Sequence, residues 1–185
     1  MVDDLLAEMR QNMEKAIESY RYDLSKIRTG RASLVLLDGV KVDYYGAPTP
    51  LNQVATLSVP EAKMIVIQPW EAKLIPEIEK AIQKSDLGLN PSSDGKVVRL
   101  TIPPLTEDRR RDLVKMVKKM AEDVRISIRN ARREALELLK ELEKEHEISE
   151  DDMHKHQKNI QTVTDEYIEK VDQIAAKKDK EVMEV

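Results

Sequence analysis

The residues with the clearest chemical potential form a basic row between positions 111 and 133. A helix turns 100° per residue, so these seven side chains fall within about 100° of one face. The row consists of Arg111, Lys115, Lys118, Arg125, Arg129, Arg132 and Arg133. It would be about 33 Å long at 1.5 Å per residue, and arginine's planar fork matches the geometry of phosphate. The row therefore predicts a nucleic-acid contact made by guanidinium groups that are not paired within the protein.

The distribution of charge supports this interpretation but leaves an alternative open. Residues 105–133 contain ten Lys and Arg against five Asp and Glu, whereas residues 134–185 contain eight against sixteen. Glu122 is the one acid that interrupts the row. Charged helix faces are commonly just solvated. The alternative is therefore that the row is solvated and partly paired with the acidic segment that follows it.

The other chemically active side chains favour no catalytic site. His154 and His156 are two residues apart, and such positions point away from each other on a helix, so no metal site is predicted. The single tryptophan, Trp70, is expected to pack onto its own domain rather than to anchor a partner. Three His, no Cys and no phosphate-binding loop or nucleophile motif predict a protein that is not an enzyme.

The distribution of glycine and proline divides the chain into two kinds of structure. All five glycines and all eight prolines lie between residues 30 and 104, so the flanking segments are predicted to form long helices. A helix with apolar residues from Leu5 to Ile27 ends at Thr29-Gly30, a second begins after Thr106, and a third begins after Ser149. The second helix has a predicted apolar stripe, which consists of Leu113, Val117, Met120, Val124, Ile128, Ala131, Ala135, Leu138 and Leu142.

The segment between the helices has the two-residue alternation of strands. Strands are predicted around residues 40–44, 55–59, 64–67 and 98–102, with a helix over 74–84 and a long turn region over 86–95. The predicted fold class is therefore α+β, with an antiparallel three-helix bundle (1–30 plus 105–185) and an inserted small β/α/β domain (31–104). Two chain links would form hinges at 29–31 and 103–106, in an L-shaped molecule. The hinge residues are Thr29, Gly30, Arg31, Pro103, Pro104, Leu105 and Thr106.

Composition excludes several classes of protein. The 185 residues are 41% hydrophobic and 36% charged and include no cysteine, so disulfides and thiolate metal sites are excluded. No apolar run exceeds four residues, and the acidic N-terminus lacks the features of a secretory signal. We therefore expect a cytoplasmic protein that does not bind membranes.

Five short motifs, in this order along the chain, resemble those of the ribosome recycling factor family. The first two are Lys26-Ile27-Arg28-Thr29-Gly30-Arg31-Ala32-Ser33 and Tyr44-Tyr45-Gly46 with Pro48-Thr49-Pro50-Leu51. The others are Ser85-Asp86-Leu87-Gly88-Leu89-Asn90-Pro91, Pro103-Pro104-Leu105-Thr106-Glu107 with Arg109-Arg110, and Ile128-Arg129-Asn130-Ala131-Arg132-Arg133. Each motif is weak alone, but together they are specific.

The resemblance implies a bundle with an α/β insert, similar in shape to transfer RNA, that acts with elongation factor G and GTP. Such a factor splits the post-termination ribosome into subunits, which releases mRNA and tRNA, and it binds no nucleotide or other cofactor itself. The resemblance places Arg129 and Arg132 on the ribosomal RNA of the large subunit, and it adds Arg28 and Arg110 more weakly. The insert would face elongation factor G, and the protein is expected to be a monomer.

Two other functions are compatible with the residues alone. The apolar stripes could serve a protein partner, as in a helical adaptor or chaperone, or an enzyme site could lie between bundle and insert. Cosedimentation with ribosomes would separate the first from a recycling factor, and a thermal-shift screen with nucleotides would detect the second.

Overall fold

A computed structural model describes residues 1–184 and divides them into two compact units. The first unit consists of residues 1–24 and 111–184, and the second of residues 25–110. Three long helices dominate the first unit: α1 (Val2–Ser25), α3 (Glu107–Lys144) and α4 (Glu150–Met183). The first turn of α3 belongs to the second unit by its contacts. The α+β class predicted from the sequence is confirmed.

Side-chain contacts define the direction in which the three long helices pack. Tyr20 near the end of α1 donates a hydrogen bond to the carbonyl of Val117 (3.4 Å) near the start of α3, and Leu5 at the other end of α1 lies beside Leu138, so α1 and α3 are antiparallel. Lys170 of α4 lies 3.8 Å from Glu14 in the middle of α1. Residues three or four apart on each helix fill the shared core. Those of α1 and α3 include Met13, Ile17, Tyr20, Leu113, Ile128 and Leu139.

The apolar stripe predicted for α3 is wrong at its C-terminal end. Leu138 was expected in the core, but it is 48% exposed, while its neighbour Leu139 is 1% exposed. Ala131, Ala135 and Leu139 are spaced by four residues, and this spacing keeps the buried side chains facing α1 and α4. Ala121, rather than Met120, fills the corresponding position earlier in the helix.

Both predicted helix caps are present. The Thr106 hydroxyl accepts a hydrogen bond from the backbone N–H of Arg109 (3.2 Å) at the start of α3. The Ser149 hydroxyl accepts one from the N–H of Asp152 (3.1 Å) at the start of α4 and donates one to its carboxylate (2.7 Å). These bonds satisfy backbone donors that have no partner within the helix.

Replacing Ser149 by alanine is expected to lower the free energy of unfolding by about 1 kcal/mol, since the N–H of Asp152 loses its acceptor. Urea unfolding followed by circular dichroism measures the change. Ser127→Ala is the matched control, because Ser127 lies inside α3, where alanine is the better helix former. Equal stability of the two variants would show that the Ser149 cap contributes nothing.

The second unit is built on a four-stranded antiparallel sheet with the strand order β3-β4-β6-β5. Its strands are β3 (Ala55–Glu61), β4 (Met64–Pro69), β5 (Pro91–Ser93) and β6 (Val98–Thr101). A separate hairpin pairs β1 (Lys41–Tyr44) with β2 (Ala47–Pro50). Tyr45 and Gly46 have positive φ angles of 51° and 84°, the combination that a tight two-residue hairpin turn requires. Helix α2 (Ile75–Lys84) packs against the sheet through Ile78 and Ile82.

Two strands of this unit were not predicted, and both contain proline. β2 holds Pro48 and Pro50, and the first residue of β5 is Pro91, within the region predicted to be a turn. Proline donates no ladder hydrogen bond, so it is tolerated on edge strands. β5 is an edge of the four-stranded sheet, and β2 pairs with β1 alone. The edge position explains why sequence patterns indicated loops here.

The prediction that Trp70 packs onto its own domain is wrong. Its side chain is 66% exposed, and its indole N–H donates to the Thr56 hydroxyl (3.3 Å) across the β3–β4 pair. Pro69 takes the buried position at the end of β4 instead.

Candidate nucleic-acid interface

Four arginines of α3 make up the candidate interface, here called the arginine face: Arg125, Arg129, Arg132 and Arg133. α3 is continuous from Glu107 to Lys144, so it carries these side chains on a single rigid element. Its apolar residues face α1 and α4, which leaves the polar side to solvent. Exposure differs along the arginine face: the side chain of Arg125 is 26% exposed, that of Arg129 is 42% exposed, and Arg133 is exposed.

Arg125 is held by two carboxylates. Its Nε and Nη2 donate to Asp172 Oδ1 of α4 (3.0 and 2.5 Å), and its Nη1 donates to Glu122 Oε2 (3.0 Å). Hydrogen bonding to Asp172 is the main cause that raises the pKa of Arg125. Every nitrogen of this guanidinium is therefore already engaged within the bundle.

Arg129 shares the second oxygen of the same glutamate. Its Nη2 lies 2.5 Å from Glu122 Oε1, so one carboxylate bridges two arginines. The hydrogen bond from Arg129, followed by that from Arg125, lowers the pKa of Glu122 and keeps it ionised. The expectation that the arginine face is unpaired is thus wrong for Arg125 and Arg129. The pairing with the acidic segment that the alternative required is present for Arg125, through Asp172.

Arg132 and Arg133 are not paired with a carboxylate within residues 1–184. Arg132 Nη1 donates to Gln161 Oε1 (3.2 Å), and Gln161 is itself oriented by a hydrogen bond to Asp165 (2.7 Å). The Nε of Arg132 is buried and makes no hydrogen bond within residues 1–184. Arg133 makes no ion pair with any residue that the structure describes. These two side chains are the best placed of the four to receive phosphate oxygens.

The two remaining predicted arginines, Arg28 and Arg110, belong to the second unit. Arg28 donates to the backbone carbonyls of Asp86 (2.8 Å) and Leu87, so it fastens the loop after α2. Arg110 lies in the first turns of α3 and is half-buried. Arg28 thus has a structural contact that its sequence pattern did not indicate.

The predicted hinge residues also lie in the second unit. Thr29 is 4% exposed, and Gly30 has a φ of 77°, a conformation that favours glycine. Gly30, Pro103, Pro104 and Leu105 line a cavity of about 250 Å³ whose other walls include Leu36, Leu87 and Leu89 of the same unit. The first link is thus buried at Thr29 and Gly30, whereas Pro103, Pro104 and Thr106 of the second link are exposed.

Sequence reasoning missed two acids that pair with the arginine face and one polar cluster. Glu122 appeared only as an interruption, and Asp172 belongs to another helix, so no spacing rule connects it with Arg125. In the second unit Tyr44 (3.0 Å) and Tyr45 (3.2 Å) donate to Glu71, whose carboxylate also lies 2.8 Å from Lys73 Nζ. The tyrosine pair is visible in the sequence, but its acidic partner is not.

No metal or membrane feature emerges in the part of the chain that is described. His154 lies 3.8 Å from Glu150, and residues 1–184 contain no group of three side chains that could hold a metal ion. None of the helices within residues 1–184 combines the length and the apolar character needed to cross a bilayer.

Comparison with known proteins identifies the family. The family model described as "Ribosome recycling factor" matches residues 20–183. The ribosome-recycling factor of Syntrophus aciditrophicus is 57% identical over all 185 residues of both chains, and that of Caldicellulosiruptor bescii is 57% identical over 95% of each.

Solved structures agree with this result. A solution structure of the ribosome recycling factor covers 100% of this chain and 98% of its own, with 43% identity and a TM-score of 0.77. A second structure, of the T. thermophilus ribosome recycling factor and the E. coli elongation factor G bound to the E. coli post-termination complex, covers 99% of both chains at 49% identity and a TM-score of 0.67. The resemblance inferred from the five motifs is confirmed: this chain belongs to the ribosome recycling factor family.

Proposed function

We propose that this protein, together with elongation factor G and GTP, splits the post-termination ribosome into subunits and so releases mRNA and tRNA. Full-length similarity to recycling factors is the observation that carries the proposal. The protein itself is not an enzyme and binds no nucleotide, since the energy for subunit splitting comes from GTP hydrolysis on elongation factor G. This role places it in the cytoplasm, where it acts as a monomer.

The arginine face is the proposed contact with ribosomal RNA of the large subunit. Arg132 and Arg133 would supply most of the phosphate contacts, because neither is paired with a carboxylate within residues 1–184. Arg129 keeps Nε and Nη1 available, while Arg125 has a larger part in linking α3 to α4. Arg28 and Arg110 would add contacts from the second unit.

The insert, residues 31–104, is proposed to move when elongation factor G pushes it, about hinges at 29–31 and 103–106. Two chain links allow hinge motion of the insert but restrict its rotation. A force that elongation factor G applies to the insert would therefore be transmitted to the bundle, which stays bound to ribosomal RNA. The position of these residues along the chain, between the long helices and the sheet, supports the proposal.

The test is sedimentation of post-termination ribosomes after incubation with this protein, elongation factor G and GTP, with each component omitted in turn. Conversion of 70S particles into subunits is expected only in the complete mixture. Splitting without the protein or without GTP, or no splitting at all, would contradict the proposal.

A further inference from the structure

One carboxylate of α3, that of Glu122, lies at the N-terminal end of the arginine face. Glu122 lies on the same side of α3 as the four arginines, since residues three and seven positions apart on a helix share a face. Its two oxygens contact Arg125 (3.0 Å) and Arg129 (2.5 Å). One negative charge therefore offsets part of the positive charge of the surface that is proposed to meet RNA.

The contact is exposed, so a ligand can displace it. Glu122 is 49% exposed and Arg129 is 42% exposed, and ion pairs in such positions are weak because water competes for both partners. A phosphate that approaches Arg129 would have to replace Glu122 Oε1 at the same nitrogen. Glu122 thus behaves as a counterion built into the protein.

Asp172 differs from Glu122 in its effect. It reaches Arg125 from α4 and takes two of its nitrogens, at 3.0 and 2.5 Å. The side chain of Arg125 is less exposed than that of Arg129 (26% against 42%). Asp172 therefore mainly links α4 to α3. Of these two acids, Glu122 is the one that contacts Arg129, whose Nε and Nη1 remain available to a ligand.

We propose that Glu122 masks the arginine face and thereby weakens its grip on ribosomal RNA, which lets the factor leave after each round of splitting. This inference rests on the proposed function. A factor that acts repeatedly gains from a contact that is strong enough to position it and weak enough to break. A carboxylate that neutralises one arginine lowers the affinity for RNA. It also lowers the dependence of that affinity on salt, because one fewer phosphate is neutralised and fewer cations are released from the RNA.

The test compares three variants that each remove one negative charge: Glu122→Gln, Asp172→Asn and Asp123→Asn. Asp123 is the matched control, since it neighbours Glu122 but pairs with no arginine among the described residues. Binding to isolated large subunits is measured from 50 to 300 mM KCl, with thermal melting as the check on folding.

Glu122→Gln is expected to bind about two- to fivefold more tightly than wild type at 100 mM salt. The slope of log affinity against log salt should steepen by about 0.7 to 0.9, the value of one further phosphate contact. Its dissociation should slow, so that each protein molecule splits fewer ribosomes per minute when ribosomes are in excess. Asp123→Asn should match wild type, and Asp172→Asn should fall between the two.

Arg129→Ala, measured alongside, separates the two possible failures. If Arg129→Ala binds as wild type does, the proposed RNA contact of Arg129 is wrong. If it binds more weakly while Glu122→Gln gains no more than Asp123→Asn, the contact stands and the masking role is overturned. Weaker binding by Glu122→Gln would overturn it too, because Glu122 would then help to orient the arginines.

Discussion

Replacing Arg132 by alanine is expected to weaken binding to the large ribosomal subunit by about 10- to 100-fold. A hydrogen bond to a charged group contributes about 1.5–3 kcal/mol, which corresponds to that change in Kd. Within residues 1–184 Arg132 makes one hydrogen bond, to the exposed Gln161, so the free energy of unfolding should change by less than about 1 kcal/mol. Subunit splitting at limiting factor should fall in parallel with binding.

Three further variants make this result specific. Lys119→Ala removes the same charge from an exposed position outside the row, so it should bind nearly as wild type does. Arg132→Lys keeps the charge without the planar fork and should recover only part of the affinity. Arg133→Ala tests the same surface with a side chain that has no stabilising pair in the described chain, so a loss there cannot come from unfolding. Unchanged splitting by both Arg132→Ala and Arg133→Ala would contradict an arginine contact with RNA.

The position of the arginine face could be predicted because one helix determines it. Seven basic residues at helical spacing identify a surface without any knowledge of neighbouring elements. The pairing of Arg125 with Asp172 could not be predicted. Asp172 belongs to α4, and the register of α4 against α3 depends on core packing. Glu122 is within reach of sequence reasoning, since an acid three residues before Arg125 predicts an ion pair on one helix.

The errors in the fold have a common physical origin. Trp70 and Leu138 are large apolar residues that the sequence pattern assigned to the interior, yet both are about half exposed or more. The periodicity of apolar residues indicates which side chains could be buried. The space between the packed helices and strands determines which of them are buried. Ala121 is a small residue in a core position of α3 that the predicted stripe missed, whereas the buried Ala131 and Ala135 were predicted correctly. β2 and β5 were not predicted for a related reason. Their prolines are typical of loops, and only the pairing of β2 with β1 and of β5 with β6 makes them strands.

Replacing Leu139 by alanine is expected to lower the free energy of unfolding of the helical bundle by about 2–5 kcal/mol. Leu139 is 1% exposed, so the substitution removes buried methyl groups and leaves a cavity between α3 and its neighbours. Urea unfolding followed by the helical circular dichroism signal measures the loss, and the slope against urea should stay unchanged if folding remains two-state.

The adjacent variant, Leu138→Ala, is the matched control and decides the register of α3. Helix propensity changes equally in both variants, so it cancels from the comparison. Leu138 is 48% exposed beside Leu5 and Glu8, so its truncation should cost about 0.5 kcal/mol or less. The reverse order of the two losses would mean that α3 is rotated and that Leu138 faces the core. The arginine face would then turn with it, since Arg132 and Arg133 lie on the same rigid helix, and its proposed role would fail with the register.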